Sequence, residues 1–333
     1  MFTEAAEAPA AVARLLAANA QACVQLGEAL RTAPPAMVVT CARGSSDHAA
    51  TYAKYLIETA TGVPTSSAAL SVSSLYDAVP KLDGALFLAI SQSGRSPDLL
   101  ATAEAAKKSG ARIIALVNDE ASPLAELADV TLGLKAGPEL SVAATKSYIC
   151  ALAAIAQLVA AWTGDEALNA ALATLPGILT EASRQDWSPA VRRLKTATNL
   201  YVLGRGPGFA VAQEAALKFK ETCGLHAEAF SAAEVKHGPM ALVGEGFPVL
   251  VFAQRDQSEA GVLALAAQLA ADGAQVLLAG GPASNLLPTL QAHPVLEPIV
   301  RIQGFYRMAN ALAVARGLDP DSPPRLKKVT ETV

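Results

Sequence analysis

Histidine, cysteine and aromatic side chains are scarce here: four His, four Cys, two Trp, six Tyr and eight Phe among 333 residues. Cys23, Cys41, Cys150 and Cys223 lie far apart, form no C-x-x-C pair and have no histidines at zinc-ligand spacing. Neither a disulfide framework nor a metal site is expected. Basic runs are missing as well, and with a net charge of −4 and few aromatics to stack on bases, nucleic acid is not the expected partner. The opening Met1-Phe2-Thr3-Glu4 carries an acid where a secretory or transit signal would be basic, so a cytoplasmic protein is expected. The longest uncharged run, Ser147–Trp162, contains Gln157 and many alanines. It falls short of the roughly 20 strongly apolar residues of a membrane span and reads as a buried helix.

What the sequence has in excess is apolar, alanine-rich chain, 52% hydrophobic against 17% charged. The length suits two domains, each with a full core. Residues 1–35 read as an amphipathic helical segment ended by Pro34-Pro35. Apolar runs at Met37–Cys41, Ala85–Ile90, Arg112–Val117 and Val130–Leu134 then alternate with helical stretches, the spacing of βαβ units. A parallel sheet covered by helices on both faces follows. From 164 to 198 the chain reads as a more polar helical linker punctuated by Pro176, Trp187 and Pro189. The strand-turn-helix scheme restarts with Asn199–Leu203, Phe247–Ala253 and Gln275–Ala279. The fold class is therefore α/β, two tandem parallel-sheet domains over 36–163 and 199–320, with a tail at 321–333.

The sharpest local feature is Ser91-Gln92-Ser93-Gly94-Arg95-Ser96, between a strand and a helix opening with Pro97-Asp98. Free amides at a helix start and small hydroxyls can cradle a phosphate at the carboxyl end of a parallel strand. The same residues also suit an N-cap and a polar turn. Gly44-Ser45-Ser46 holds the equivalent position after the first strand, followed by Asp47 and His48, which read as first-turn solvent residues. A P-loop motif is missing, and Gly204-x-Gly206-x-Gly208 departs from the dinucleotide fingerprint at Phe209. No nucleotide or other cofactor is expected. Lys218 and Glu221 share a helix face at i and i+3, with the carboxylate at the C-terminal end that the macrodipole disfavours. They form either an acid-base pair or a surface ion pair. His226 to Pro239 gathers two histidines, two acids and Lys236 before a Gly-Pro turn. His237 there is placed either to exchange protons or to serve structure. The proline-rich tail brings Lys327 and Lys328.

In the same order along the chain, S-Q-S-G-x-S at 91–96, V-A-A-T-K at 142–146, L-G-R-G at 203–206, K-F-K-E at 218–221, E-V-K-H-G-P at 234–239 and the tail L-K-K resemble the sugar isomerase (SIS) family. The likeness is to the isomerase portion of glucosamine-6-phosphate synthase and to stand-alone glucosamine-6-phosphate deaminases. It implies two SIS domains packed as a homodimer, with a phosphorylated amino sugar as ligand and no cofactor. By resemblance, Ser46, Ser91, Gln92, Ser93 and Ser96 bind phosphate, and Val142 and Ala144 line the sugar. Glu221 moves a proton between C1 and C2, and Lys218 assists. His237 opens the ring from the neighbouring subunit, and Lys328 closes over the substrate. Arg95, Ala144 and Pro323-Pro324-Arg325 depart from the synthase pattern, and the chain is expected to lack the glutaminase domain, so a deaminase is expected. Galactosamine 6-phosphate, a fructosamine phosphate, or a non-catalytic sugar-phosphate sensor are the alternatives that the resemblance leaves open.

Overall fold

The computed structural model describes residues 1–281 and 287–328, which gather into two compact units. One comprises residues 10–139 and 146–173 with Lys327 and Lys328; the other comprises residues 1–9, 140–145, 174–281 and 287–326. Residues 329–333 of the expected tail lie outside the described residues. The chain opens with α1 (Phe2–Ala6) and α2 (Ala8–Thr32), where the sequence pattern reads as one helix. Pro9 supplies the reason for the break: it has no N–H to give the preceding turn and is tolerated only where a helix begins.

The first sheet follows from strands that are mostly apolar, because helices cover both faces, apart from the polar edge strand β2. They are β1 (Val38–Cys41), β2 (Thr65–Ser67), β3 (Leu86–Ser91), β4 (Arg112–Val117) and β5 (Val130–Gly133). All pair in parallel in the order β2-β1-β3-β4-β5. Between and after them run α3 (Ser45–Thr61), α4 (Ser71–Ser74), α5 (Pro97–Lys108), α6 (Pro123–Leu127) and α7 (Lys146–Thr163). Val39, Phe87, Ala89, Leu99, Ala103, Ile113 and Val117 belong to one continuous core. Helix α7, the long uncharged run, is buried along almost its whole length. The strand order reverses between β1 and β3, and the loops leaving their carboxyl ends flank the crevice where open parallel sheets take ligands.

Helices α8 (Glu166–Ala182) and α9 (Ser188–Leu194) lead into the second sheet. Pro176 does not punctuate α8 as the sequence reading has it, since the helix continues through it. Leu168, Leu172, Leu175 and Leu179 on that helix are all buried, and their packing outweighs the roughly 3 kcal/mol that an internal proline costs. Trp187 does mark a boundary, standing at the N-cap of α9 with Pro189 just inside it. Next come β6 (Asn199–Gly204), α10 (Pro207–Cys223), β7 (His226–Ser231), β8 (Pro248–Phe252), α11 (Glu259–Ala271), β9 (Gln275–Ala279) and α12 (Glu297–Ala315). The order β7-β6-β8-β9, all parallel, repeats that of the first four strands of the other sheet. Helix α10 packs on α12, with Phe219 and Phe305 edge to face at 5.1 Å. The described cysteines are free and buried, and burial pushes the Cys23 and Cys150 thiols up to about 12.

Candidate active site

The serine loop takes its shape from Gly94, whose φ of +64° suits glycine and whose Cβ, if present, would stand 2.2 Å from Ser122 Oγ. The Gly94 N–H donates to Ser91 Oγ at 3.0 Å and the Arg95 N–H to Ser93 Oγ at 3.4 Å, so the chain curls around its own hydroxyls. Ser96 stands at the N-cap of α5 with Pro97 after it, yet its side chain makes no capping bond. The hydroxyl that an N-cap would consume is therefore not used for capping. Ser46 lies in the first turn of α3, after Gly44 at φ +54°. The two loops are tied together: Arg43 Nε and Nη2 donate to Asp98 Oδ2 at 2.9 and 2.6 Å, and that carboxylate is fully buried. Asp98 also accepts from the Leu99 N–H at 2.8 Å. Asp47, read as a solvent residue, is half-buried, and burial raises its pKa.

Helix α10 carries a buried charge relay. Lys218 is completely buried and meets Glu221 one turn later on the same face, so the pair is not the surface ion pair that spacing alone allows. A second carboxylate, Glu214, lies 3.4 Å from the Lys218 Nζ and accepts from the Tyr306 hydroxyl at 3.1 Å. Burial works to lower the Lys218 pKa, but Glu214 and Glu221 outweigh it and the net direction is upward, so the ammonium stays charged. Glu214 is fully enclosed, whereas the Glu221 side chain is 20% exposed and lines a cavity of about 480 Å³ with Lys220, Leu318 and Arg325. Only the outer carboxylate of this triad meets solvent, held in one place by a lysine that cannot leave it. Such an arrangement can take up and return a proton without reorganising.

His237 follows a single 3₁₀ turn, Glu234–Lys236, and precedes Gly238 at φ +132°. It is exposed and lines a different cavity from Glu221, one of about 420 Å³. Val142 donates its N–H to Asp321 O at 3.2 Å, and Ala144 is half-buried nearby in the same short segment. Lys328 Nζ lies 3.2 Å from Glu139 Oε2, a fully buried carboxylate that also accepts from the Ser147 N–H at 3.1 Å and hydroxyl at 2.6 Å. Ser46 and Ser91–Ser96 thus follow the carboxyl ends of the neighbouring strands β1 and β3, Lys218 meets Glu221, and His237 and Glu221 line different cavities of the second-sheet unit. Sequence reasoning missed Glu214, Tyr306, Glu139 and the Arg43–Asp98 pair. Glu214 had a signal, since E-x-x-x-K-x-x-E puts all three charges on one helix face. Tyr306 had none.

Residues 35–161 and 193–286 match the model of the SIS domain. The chain is 35% identical over 326 residues to a glutamine–fructose-6-phosphate aminotransferase (isomerizing) of Thermus thermophilus, covering 92% of this chain and 54% of the relative. A protein of the same name from Aeropyrum pernix is 36% identical over 308 residues, 86% of this chain and 49% of that protein. The chain spans about half the length of these curated relatives. Among solved structures, a provisionally assigned phosphosugar isomerase from Silicibacter pomeroyi DSS-3 superposes with a TM-score of 0.92 at 47% identity, covering 96% of this chain and 99% of that one. The C-terminal domain of a glucosamine-fructose-6-phosphate aminotransferase from Francisella tularensis gives 0.83 at 27% identity, covering 96% and 97%. A glucosamine-6-phosphate deaminase from Thermotoga maritima gives 0.76 at 24% identity over 97% of this chain and the whole of that one, a likeness of fold.

Proposed function

The chain belongs to the SIS-domain family, and from that premise we propose that it is an amino-sugar phosphate deaminase and isomerase. Its substrate is glucosamine 6-phosphate, which with water gives fructose 6-phosphate and ammonia. One observation carries the reading: Glu221, alone of a buried three-charge network, reaches a cavity. Relatives whose names carry fructose 6-phosphate and glucosamine support the sugar class. The uncommitted Ser96 hydroxyl and the loop amides support a phosphate anchor built from Ser46, Ser91, Gln92, Ser93 and Ser96. Each charge-assisted hydrogen bond there contributes about 1.5–3 kcal/mol, enough together to hold a phosphomonoester without a lysine.

In this reading His237 of a second copy transfers the proton that opens the sugar ring. That assignment fits its separation from the Glu221 cavity. Glu221 then takes the C2 proton of the open-chain aldehyde, and the electron pair forms an enolamine. The same carboxyl returns the proton to C1 while O1 is protonated, leaving an alcohol at C1 and an iminium at C2. Water adds at C2 and ammonia leaves. Lys218, fixed in its charged form, holds Glu221 and offsets its charge. Lys328 leaves Glu139 to close the tail over the sugar, with Val142 and Ala144 beside it. The chemistry asks for no cofactor, and the free, buried thiols suit a reducing cytoplasm.

The test is ammonia release from a panel of glucosamine 6-phosphate, galactosamine 6-phosphate and a fructosamine phosphate. Turnover of the first is expected to lead. Thermal stabilisation by these sugars with no ammonia from any of them would instead make the protein a sensor.

A further inference from the structure

The second sheet reverses its strand order between β6 and β8, as the first does between β1 and β3. At the carboxyl edge of that reversal lies the cavity of about 420 Å³ that His237 borders. Its wall is built by Arg205 after β6, Ala232 and Ala233 after β7, Lys236 and His237, and Gln257 and Ser258 after β8. Among the described residues no carboxylate lines it, in a chain whose 30 acids outnumber its 26 lysines and arginines. Three acids adjoin lining residues in sequence, Glu234, Asp256 and Glu259, and none of them is in the wall; Asp256 is engaged by the Ser258 N–H and hydroxyl at 2.8 and 2.6 Å and by Gln254. Arg205 is oriented by one bond, Nη1 donating to Ser231 Oγ at 3.1 Å, which leaves the rest of its fork for a ligand.

We propose that this cavity is a second anion site, taking a small phosphomonoester of the sugar-phosphate class on Arg205 and Lys236. It shares no lining residue with the serine loop, and it borders His237, the residue that the proposed function assigns to ring opening in a second copy. The two crevices solve the same problem differently, the first with hydroxyls and amides, the second with side-chain cations. A dianion between a guanidinium and an ammonium, with no opposing carboxylate, is held by charge as well as by hydrogen bonds.

The experiment is isothermal titration of the full chain with glucitol 6-phosphate, which can neither open a ring nor release ammonia. Two equivalents per chain are expected. Ser93→Ala/Ser96→Ala leaves one of them, and Arg205→Ala/Lys236→Ala leaves the other while weakening its own at least about tenfold. Arg205 and Lys236 are both exposed, so their truncation spares the core, and Arg205→Gln alone serves as a milder check. A single equivalent that is lost in the serine variant, or binding undiminished in the Arg205→Ala/Lys236→Ala chain, overturns the proposal. A single equivalent that survives the serine variant and disappears with Arg205 and Lys236 upholds it and removes the serine loop as the phosphate anchor.

Discussion

Replacing Lys218 with methionine keeps its length and apolar stem and deletes only the ammonium. Glu214 would then keep a carboxylate with no exposed surface, accepting from the Tyr306 hydroxyl at 3.1 Å but without the ammonium that faces it at 3.4 Å. Breaking a buried pair by removing one partner costs about 3–5 kcal/mol, because a charge that remains in a low-dielectric interior loses the opposite charge that offset its desolvation. The loss is expected in the transition reported by Trp187, which lies in the second-sheet unit against Phe252 at 6.4 Å. Denaturant titration read by Trp187 fluorescence, with Trp162 replaced by phenylalanine, isolates that transition. The double variant Glu214→Gln/Lys218→Met removes both charges and is expected to recover to within about 1–2 kcal/mol of the parent. pH gives a second handle. The Lys218 pKa is raised on folding, so its contribution is fully present below the ordinary value of 10.5 and is lost only as pH climbs through the higher folded value. The gap between parent and Lys218→Met should therefore be constant from neutral to about pH 10 and narrow above it. A single variant losing less than about 1 kcal/mol, or a double variant no more stable than the single, would refute the buried-relay argument.

Glu139→Gln should loosen the Lys328 contact at 3.2 Å, seen as faster tryptic cleavage after Lys327 and Lys328 and, since Lys328 has to leave Glu139 to reach the sugar, a KM that does not rise. Gly94→Ala, which combines φ +64° with a 2.2 Å approach to Ser122 Oγ, should weaken phosphate-ester binding at least about tenfold while leaving Glu221 chemistry at saturation. Burial tends to raise the Glu297 pKa, but Arg301 and Arg255 outweigh it and the net shift is downward. Its contribution to stability is thus present above the ordinary 4.5 and lost as pH falls through the lower folded value. Melting curves of Glu297→Gln between pH 6 and 3 should show a flatter acid limb than the parent.

Strands β4 and β9 were legible to the residue because each is an apolar run ended by a turn. The short β2 was not, since Thr65-Ser66-Ser67 is an edge strand with two exposed residues and no apolar signature. Strand β7 also escaped, because His226-Ala-Glu-Ala-Phe-Ser reads as a cluster of titratable groups, and only its place at the sheet edge lets those polar side chains face outward. The serine loop was readable because its residues are contiguous. Its brace, Arg43 to Asp98, joins residues on two loops that only the strand order makes neighbours. Likewise Glu221 and Lys218 could be paired by helical spacing, whereas Tyr306 reaches Glu214 from a helix 92 residues away. Local period and turn chemistry show in a sequence; partners across the fold do not.

The central claim, that the Glu221 carboxylate carries a proton from C2 to C1 of an open-chain amino-sugar phosphate, is tested most directly by turnover of glucosamine 6-phosphate deuterated at C2 in ordinary water. Fructose 6-phosphate from the parent chain should carry part of that deuterium at C1, and Glu221→Gln should lose ammonia release by about 10²–10⁴-fold while still binding glucitol 6-phosphate. Ammonia release at the parent rate by Glu221→Gln, with deuterium still entering C1, would contradict it.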